Sequence, residues 1–197
     1  MSGTTQFFTP PSSFTASSIP ISAHGTTITY ADGSQCLDGI SGLWNVPLGY
    51  GHQGVADAVH QALLEASYLT CFRSTHRWAE RASDALLKAA GPGHYGRTIH
   101  ATSGSAALDS TMKVVRQTQI LRGEPNRRAI VSLKGSYHGT TLGAMSLTGE
   151  DLGQRMYGID TRMIRHVDHH RPRDLERLLE REGDRIAAVV LEPVQGS

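Results

Sequence analysis

The sequence predicts an α/β protein in which a small α+β element precedes the first part of a mostly parallel sheet. Two observations carry this. From Thr98 onward, short apolar runs alternate with longer stretches whose apolar residues recur at helical spacing. That alternation is the pattern of parallel strands joined by helical crossovers. Before Gly93 the texture is different: a strand–turn–strand pattern, then Gly-rich chain, then two helical patterns. A boundary near Gly93 therefore gives an arm (1–25), a small-domain segment with connecting helices (26–92) and the first part of a larger sheet domain (93–197).

The arm opens MSGTTQFFTPPSSFTASS, rich in Ser, Thr and Pro. It lacks the basic start and apolar centre of a secretory leader and reads as flexible or draped on a partner. Thr26 to Tyr30 is β-rich, Ala31 to Ser34 is a turn, and Gln35 to Leu37 is the return strand of a hairpin. After the Gly-rich stretch Gly39 to Gly54, helical spacing predicts helices over Val55 to Glu65 and Trp78 to Ala90, the second stopped by Gly91-Pro92-Gly93. A strand over Thr98 to Ala101 then runs into a helix opened by Ser103 and ending near Leu121. Strands follow over Arg128 to Leu133, Arg162 to Val167 and Ile186 to Leu191, with a helix over Arg173 to Glu182 before the last.

Composition narrows the function classes. Nineteen basic residues against 18 acidic ones leave no field to attract a polyanion, so no nucleic-acid partner is expected. No apolar stretch reaches the ~18 residues a membrane span needs. Two cysteines, Cys36 and Cys71, are too few for a disulfide framework or a zinc site, and a reducing cytoplasm is the expected location.

Several motifs carry less than they suggest. Gly91-Pro-Gly-His-Tyr-Gly96 has dinucleotide-loop spacing but follows a helix rather than a strand. Gly49-Tyr-Gly-His-Gln-Gly54 precedes a helix, yet no acidic residue lies ~20 positions on to hold a ribose. Arg165-His-Val-Asp-His-His170 invites a metal reading, but no second ligand cluster matches it, and a solvated loop is expected. Thr102-Ser-Gly-Ser-Ala106 lacks the leading glycine of a nucleophile elbow.

Two stretches carry more. In ATSGSAALDS (101–110) a strand meets a helix through small residues, and Ser103 can cap that helix. The N–H groups of Gly104, Ser105 and Ala106 then converge where the helix dipole favours an anion, and the Ser105 hydroxyl adds a donor. The alternative is an ordinary capped helix. In KGSYHGTT (134–141) an aromatic, an imidazole and a glycine follow a strand's C-terminal end, where open α/β sheets bind ligands. Tyr137 could lie against an aromatic cofactor, or simply pack.

Together with YADGSQCLDGISGLW, GYGH and LEPVQG, these stretches stand in the order and approximate spacing of class III (ω-type) aminotransferases. The resemblance runs from Thr26 to Gly196. It implies the fold of type I pyridoxal-phosphate enzymes, in part, and transfer of an amino group to a ketone or aldehyde through pyridoxal 5′-phosphate. It implies cofactor-binding roles for Ser103, Gly104, Ser105, Tyr137, His138 and Glu192, with Gly139 shaping the same wall. It implies a substrate pocket lined by Trp44, Cys71 and Phe72, at the interface of a dimer. Two departures from the family stand here: Ala106, where it usually has a Glu that would complete a capping box with Ser103, and Cys71-Phe72, near where many members carry a second pocket aromatic, which implies a wider pocket.

In the family, the E-P-x-x-G loop lies near mid-chain. The pyridine-pairing aspartate, the Schiff-base lysine and a phosphate-binding Ser or Thr for the neighbouring subunit come after it. Transamination needs that lysine. The three lysines here, Lys88, Lys113 and Lys134, do not match it. No catalytic residue is therefore expected in this chain. Three readings stay open: half of a split aminotransferase completed by a second polypeptide carrying the C-terminal half, a non-catalytic subunit that scaffolds a partner, or a truncated piece of such an enzyme.

Overall fold

The computed structural model describes residues 9–196 and divides into two compact units, one ending at His76 and the other beginning at Arg77. In the first unit, β1 (Pro20–His24), β2 (Thr27–Tyr30) and β3 (Gln35–Leu37) form an antiparallel sheet in that order. The β2–β3 turn is held by Asp32, whose Oδ1 accepts the Ser34 N–H at 2.9 Å, and by Gly33 at φ 84°. α1 (Ser41–Trp44) is one left-handed turn, with φ between 51° and 65° at Ser41, Gly42, Leu43 and Trp44. α2 (Gln53–Glu65) follows, capped by His52, whose Nδ1 accepts the Val55 N–H. No described residue of this unit is buried, and the apolar stripe Val55, Val59, Leu63 of α2 stands about half exposed.

The second unit holds the core. α3 (Arg77–Ala90) leads to α4 (Gly104–Leu121), β4 (Ala129–Leu133), α5 (Leu142–Leu147), β5 (Ile164–Val167), α6 (Pro172–Glu182) and β6 (Ile186–Val189). The three strands form a parallel sheet in the order β5-β4-β6. β4 lies in the middle, and its alternation assigns its side chains to two layers. Ala129 and Val131 pack with Val167, Ile186 and Leu178 of α6. Ile130 packs with Ile164, Leu147 of α5 and Met112 of α4. A strand buried on both faces needs this continuous apolar run rather than an alternating one. Every buried residue among those described lies between Met112 and Ala187.

Four expectations change. The arm (1–25) is not free throughout: Pro20–His24 is β1, paired with β2 through a turn at Gly25 (φ 58°). Residues 1–8 lie outside the described residues. Thr98 to Ala101 forms no strand and pairs with none among the described residues. The division falls at His76 rather than near Gly93 because α3 is tied forward: Ser83 Oγ contacts Thr98 Oγ1 at 2.6 Å and His100 Nε2 at 3.0 Å. The helix α5 was not expected at all. Among the described residues no helix is long and apolar enough to cross a membrane.

Among the described residues β6 has one neighbouring strand, β4. Side chains reach two of its carbonyls, Gln119 donating to Ala187 and Arg127 to Ile186, but no strand pairs along its other edge, beside the exposed Val189 and Leu191. Such edges template association. Expressed by itself, the 197-residue chain should self-associate. A sharp monomer peak by light scattering, with cooperative unfolding, would count against this.

Candidate functional site

The two stretches singled out from the sequence meet in the second unit. Ser103 caps α4: its Oγ accepts the Ala106 N–H at 3.1 Å, and its carbonyl takes that of Ala107. The earliest N–H groups of a helix have no acceptor within it, so those of Gly104 and Ser105 face the open end of α4. A side chain at Gly104 would meet nothing within 4 Å, so the backbone there is approachable. The lost Glu at Ala106 leaves the serine cap intact.

The Tyr137 loop lies directly against this turn. Ser105 Oγ accepts the Thr140 N–H at 3.1 Å, which leaves its hydroxyl hydrogen free to donate. Gly139, at φ 123°, is where the two segments touch, since a Cβ there would overlap the Ser105 side chain. Other N–H groups of the loop also go to side chains from distant elements. Tyr137 N–H is accepted by Glu192 Oε1 at 2.7 Å, and His138 N–H by Thr148 Oγ1 at 3.0 Å. Thr148, buried, also donates to the Gly139 carbonyl at 3.1 Å. Held at its backbone, Tyr137 is 49% exposed.

Glu192 acts as a clamp: Oε1 takes Tyr137 and Oε2 takes the Gly196 N–H at 3.2 Å, so the loop after β6 and the Tyr137 loop share one carboxylate. His138 is held below the usual histidine range, chiefly by burial, with nearby His166 adding to this and Glu192 opposing it. Its Nε2, and Oγ1 of neighbouring Thr141, are buried without a hydrogen-bond partner among the described residues. Buried polar atoms of this kind normally have partners, so the cluster is built for a polar ligand or a further segment. His166 lies in β5, inside the strand expected over Arg162 to Val167, with Nε2 3.1 Å from the Leu147 carbonyl. Thr148 and Asp109, which accepts the Ala144 N–H, were not singled out. They carry no motif, only a place in the fold.

The expected pocket residues Trp44, Cys71 and Phe72 belong to the first unit, and all three are exposed, Trp44 at 75%. Trp44 ends the left-handed turn α1. Such φ values cost about 1–2 kcal/mol per non-glycine residue, and Asp38 offsets this by tying the turn. Its Oδ1 accepts the Ile40 N–H at 3.0 Å, and its Oδ2 accepts the Gly42 N–H at 2.6 Å and the Tyr50 hydroxyl at 2.8 Å. These bonds, the Tyr50 hydroxyl first, lower the Asp38 carboxyl below its usual range. A lowered carboxylate contributes order that is present above its unfolded pKa of about 3.9 and lost as pH falls through the folded value. In a Trp78→Phe background, Trp44 emission should therefore hold from pH 7 to about 5 and change only below about 3.9. Asp38→Asn should abolish that acid step; a step centred above pH 5 would exclude Asp38 as its origin.

The sequence profile of the family described as Aminotransferase class-III matches residues 12–197. The chain is 32% identical over 173 residues to a diaminobutyrate–2-oxoglutarate transaminase of Halomonas elongata, an overlap of 85% of this chain and 37% of that protein. It is 26% identical over 195 residues to an omega-aminotransferase of Caulobacter vibrioides, covering 89% and 44% of the two chains. Among solved structures, a PLP-bound amine transaminase from an uncultivated Pseudomonas species superposes with a TM-score of 0.86 at 27% identity, over 99% of this chain and 50% of the other. The chain thus spans about two fifths to one half of the length of the relatives it matches.

Proposed function

The chain belongs to the class III aminotransferases, and from that premise we propose that it supplies the phosphate-holding and ring-holding part of a transaminase site, with the essential lysine provided by protein outside these 197 residues, on a partner chain. Its fold is the type I arrangement of pyridoxal-phosphate enzymes, in part. The observation that carries the proposal is the Ser105–Thr140 hydrogen bond, which sets an anion-ready helix start against a clamped, half-exposed tyrosine. The unpartnered His138 Nε2 and Thr141 Oγ1, and the open space at Gly104, fit a phosphorylated aromatic cofactor. When bound, pyridoxal phosphate supplies the electron sink and carries the amino group between donor and acceptor.

The residues of this chain divide the remaining work. The Gly104 and Ser105 N–H groups and the Ser105 hydroxyl hold the phosphate at the positive end of α4. Tyr137 lies against the cofactor ring, its backbone fixed by Glu192. His138, kept neutral by burial, closes the same wall and offers Nε2 as a hydrogen-bonding group. Trp44, with Cys71 and Phe72, lines the substrate side in a dimeric assembly.

None of the three lysines matches the Schiff-base lysine of the family. Lys113 is nine residues beyond Gly104 on α4, about 13 Å along the helix at 1.5 Å per residue. Lys88 is in the last turn of α3. Lys134 stands exposed between two hollows, one with Asp168 and the α6 residues Arg177 and Leu178 and one with Thr148 and His166.

Borohydride reduction of the cofactor-loaded enzyme followed by peptide mapping should label a lysine outside these 197 residues; label on Lys134 would overturn the proposal. In the same enzyme, Tyr137→Ala should weaken cofactor binding by about 1–3 kcal/mol, the scale of a buried aromatic contact. Tyr137→Phe should keep most of the affinity, because the ring face makes the contact.

A further inference from the structure

We infer that Asp109 is a positioning residue that sets the phosphate turn in register with the loop carrying Tyr137. The inference rests on the cofactor reading above. Residues four apart on a helix share a face, and α4 presents two acceptors so spaced, Ser105 and Asp109. Each takes a backbone N–H from a second pair spaced by four. Ser105 Oγ accepts Thr140 at 3.1 Å, and Asp109 Oδ1 accepts Ala144 at 2.8 Å. Two matched contacts fix both the separation and the sliding register of the two segments, which one contact cannot do.

The start of α5 depends on this arrangement. Its own N-cap residue, Thr141, makes no capping bond, and its Oγ1 is buried without a partner among the described residues. An N-cap side chain ordinarily accepts an N–H of the first turn. Here a carboxylate from another helix does so, with the added strength of an ionised acceptor at a helix start. The backbone makes room for it: a Cβ on Gly143 would overlap Asp109 Oδ1 and come within 3.4 Å of Met112 Sδ. Asp109 lies one turn beyond Ser105 on the phosphate side, and α5 continues directly from the Tyr137 loop on the ring side. Without Asp109 the two subsites keep their own residues but lose one of the two contacts that hold them in register.

A ligand that spans both subsites should feel this loss, and one that fills only the phosphate turn should not. The test titrates the assembled enzyme with pyridoxal 5′-phosphate and separately with inorganic phosphate. Asp109→Ala should weaken pyridoxal 5′-phosphate about tenfold, within the usual range of coupling between sites, and leave inorganic phosphate within about twofold. Asp109→Asn, which keeps Oδ1 as an acceptor, should retain most of the affinity. Amide exchange at Thr140 and Ala144 should accelerate in Asp109→Ala and not in Asp109→Asn. Equal weakening of both ligands would overturn the inference, since that is the mark of general loosening, and so would an unchanged pyridoxal 5′-phosphate affinity. Failure of the parent enzyme to bind pyridoxal 5′-phosphate would instead remove the cofactor reading, and this inference with it.

Discussion

Replacing Gly139 with Ala should lower pyridoxal-phosphate affinity by about 2–4 kcal/mol, roughly 30- to 1,000-fold. Two effects add. Gly139 has φ 123°, a region that a side chain makes costly. A Cβ there would also overlap the Ser105 hydroxyl and stand 2.9 Å from its Cβ, so Ser105 must turn away and release the Thr140 N–H. The phosphate turn and the ring wall are then both disturbed by one methyl group. Cofactor titration of the assembled enzyme measures the loss, with circular dichroism confirming that the fold persists. Adding Ser105→Ala removes the hydroxyl from the overlap, so the double variant should lose less than the sum of the singles. Affinity within twofold of the parent for Gly139→Ala would mean that this contact does not shape the site.

Ile130→Ala should destabilise the protein by about 3–4 kcal/mol, within the range for truncating a buried aliphatic side chain. Ile130 is 0% exposed, at the centre of the central strand, and packs with Met112, Leu147 and Ile164. The sheet around it is pinned on both sides, by Ile130–Ile164 and Ile130–Ala188 pairing, so the cavity cannot close by moving one strand. A loss of this size is a large share of the ~5–15 kcal/mol that holds a typical domain. The denaturant midpoint should fall with an unchanged slope. A change under about 1 kcal/mol would show that the site collapses around the smaller side chain, against the packing described here.

Elements with a local cause were legible in the sequence. β4 reads as a strand because burial on both faces makes all its residues apolar or small, and the bounds of α2, α3, α4 and α6 fall within two residues of their periodic patterns. α5 was not legible. LGAMSL is a helix of only six residues, and Asp109, which accepts the Ala144 N–H in its first turn, lies 35 residues away. β1 was hidden by a Pro- and Ser-rich context, and its pairing with β2 decides its state. Thr98 to Ala101 has the composition of a strand without a strand to pair with. The same holds at the site. Ser103 to Ser105 and Tyr137 announce themselves through small residues at a helix start and an aromatic after a strand. Their contact through Gly139, the Glu192 clamp and the Thr148 support join residues far apart in sequence, and no local pattern encodes them. The left-handed turn at Trp44 is signalled by Gly42 alone of its four residues.

Every buried residue described lies between Met112 and Ala187, and none lies before. A ribosome releases the chain from its amino end at about 5–20 residues per second. The described residues of the first hundred therefore emerge with no interior of their own to close on, and β4, which centres the core, follows later. For this chain the order of synthesis and the order of consolidation run in opposite directions. While the later residues are still being made, the half-exposed stripe of α2 offers a target to a chaperone that binds apolar segments.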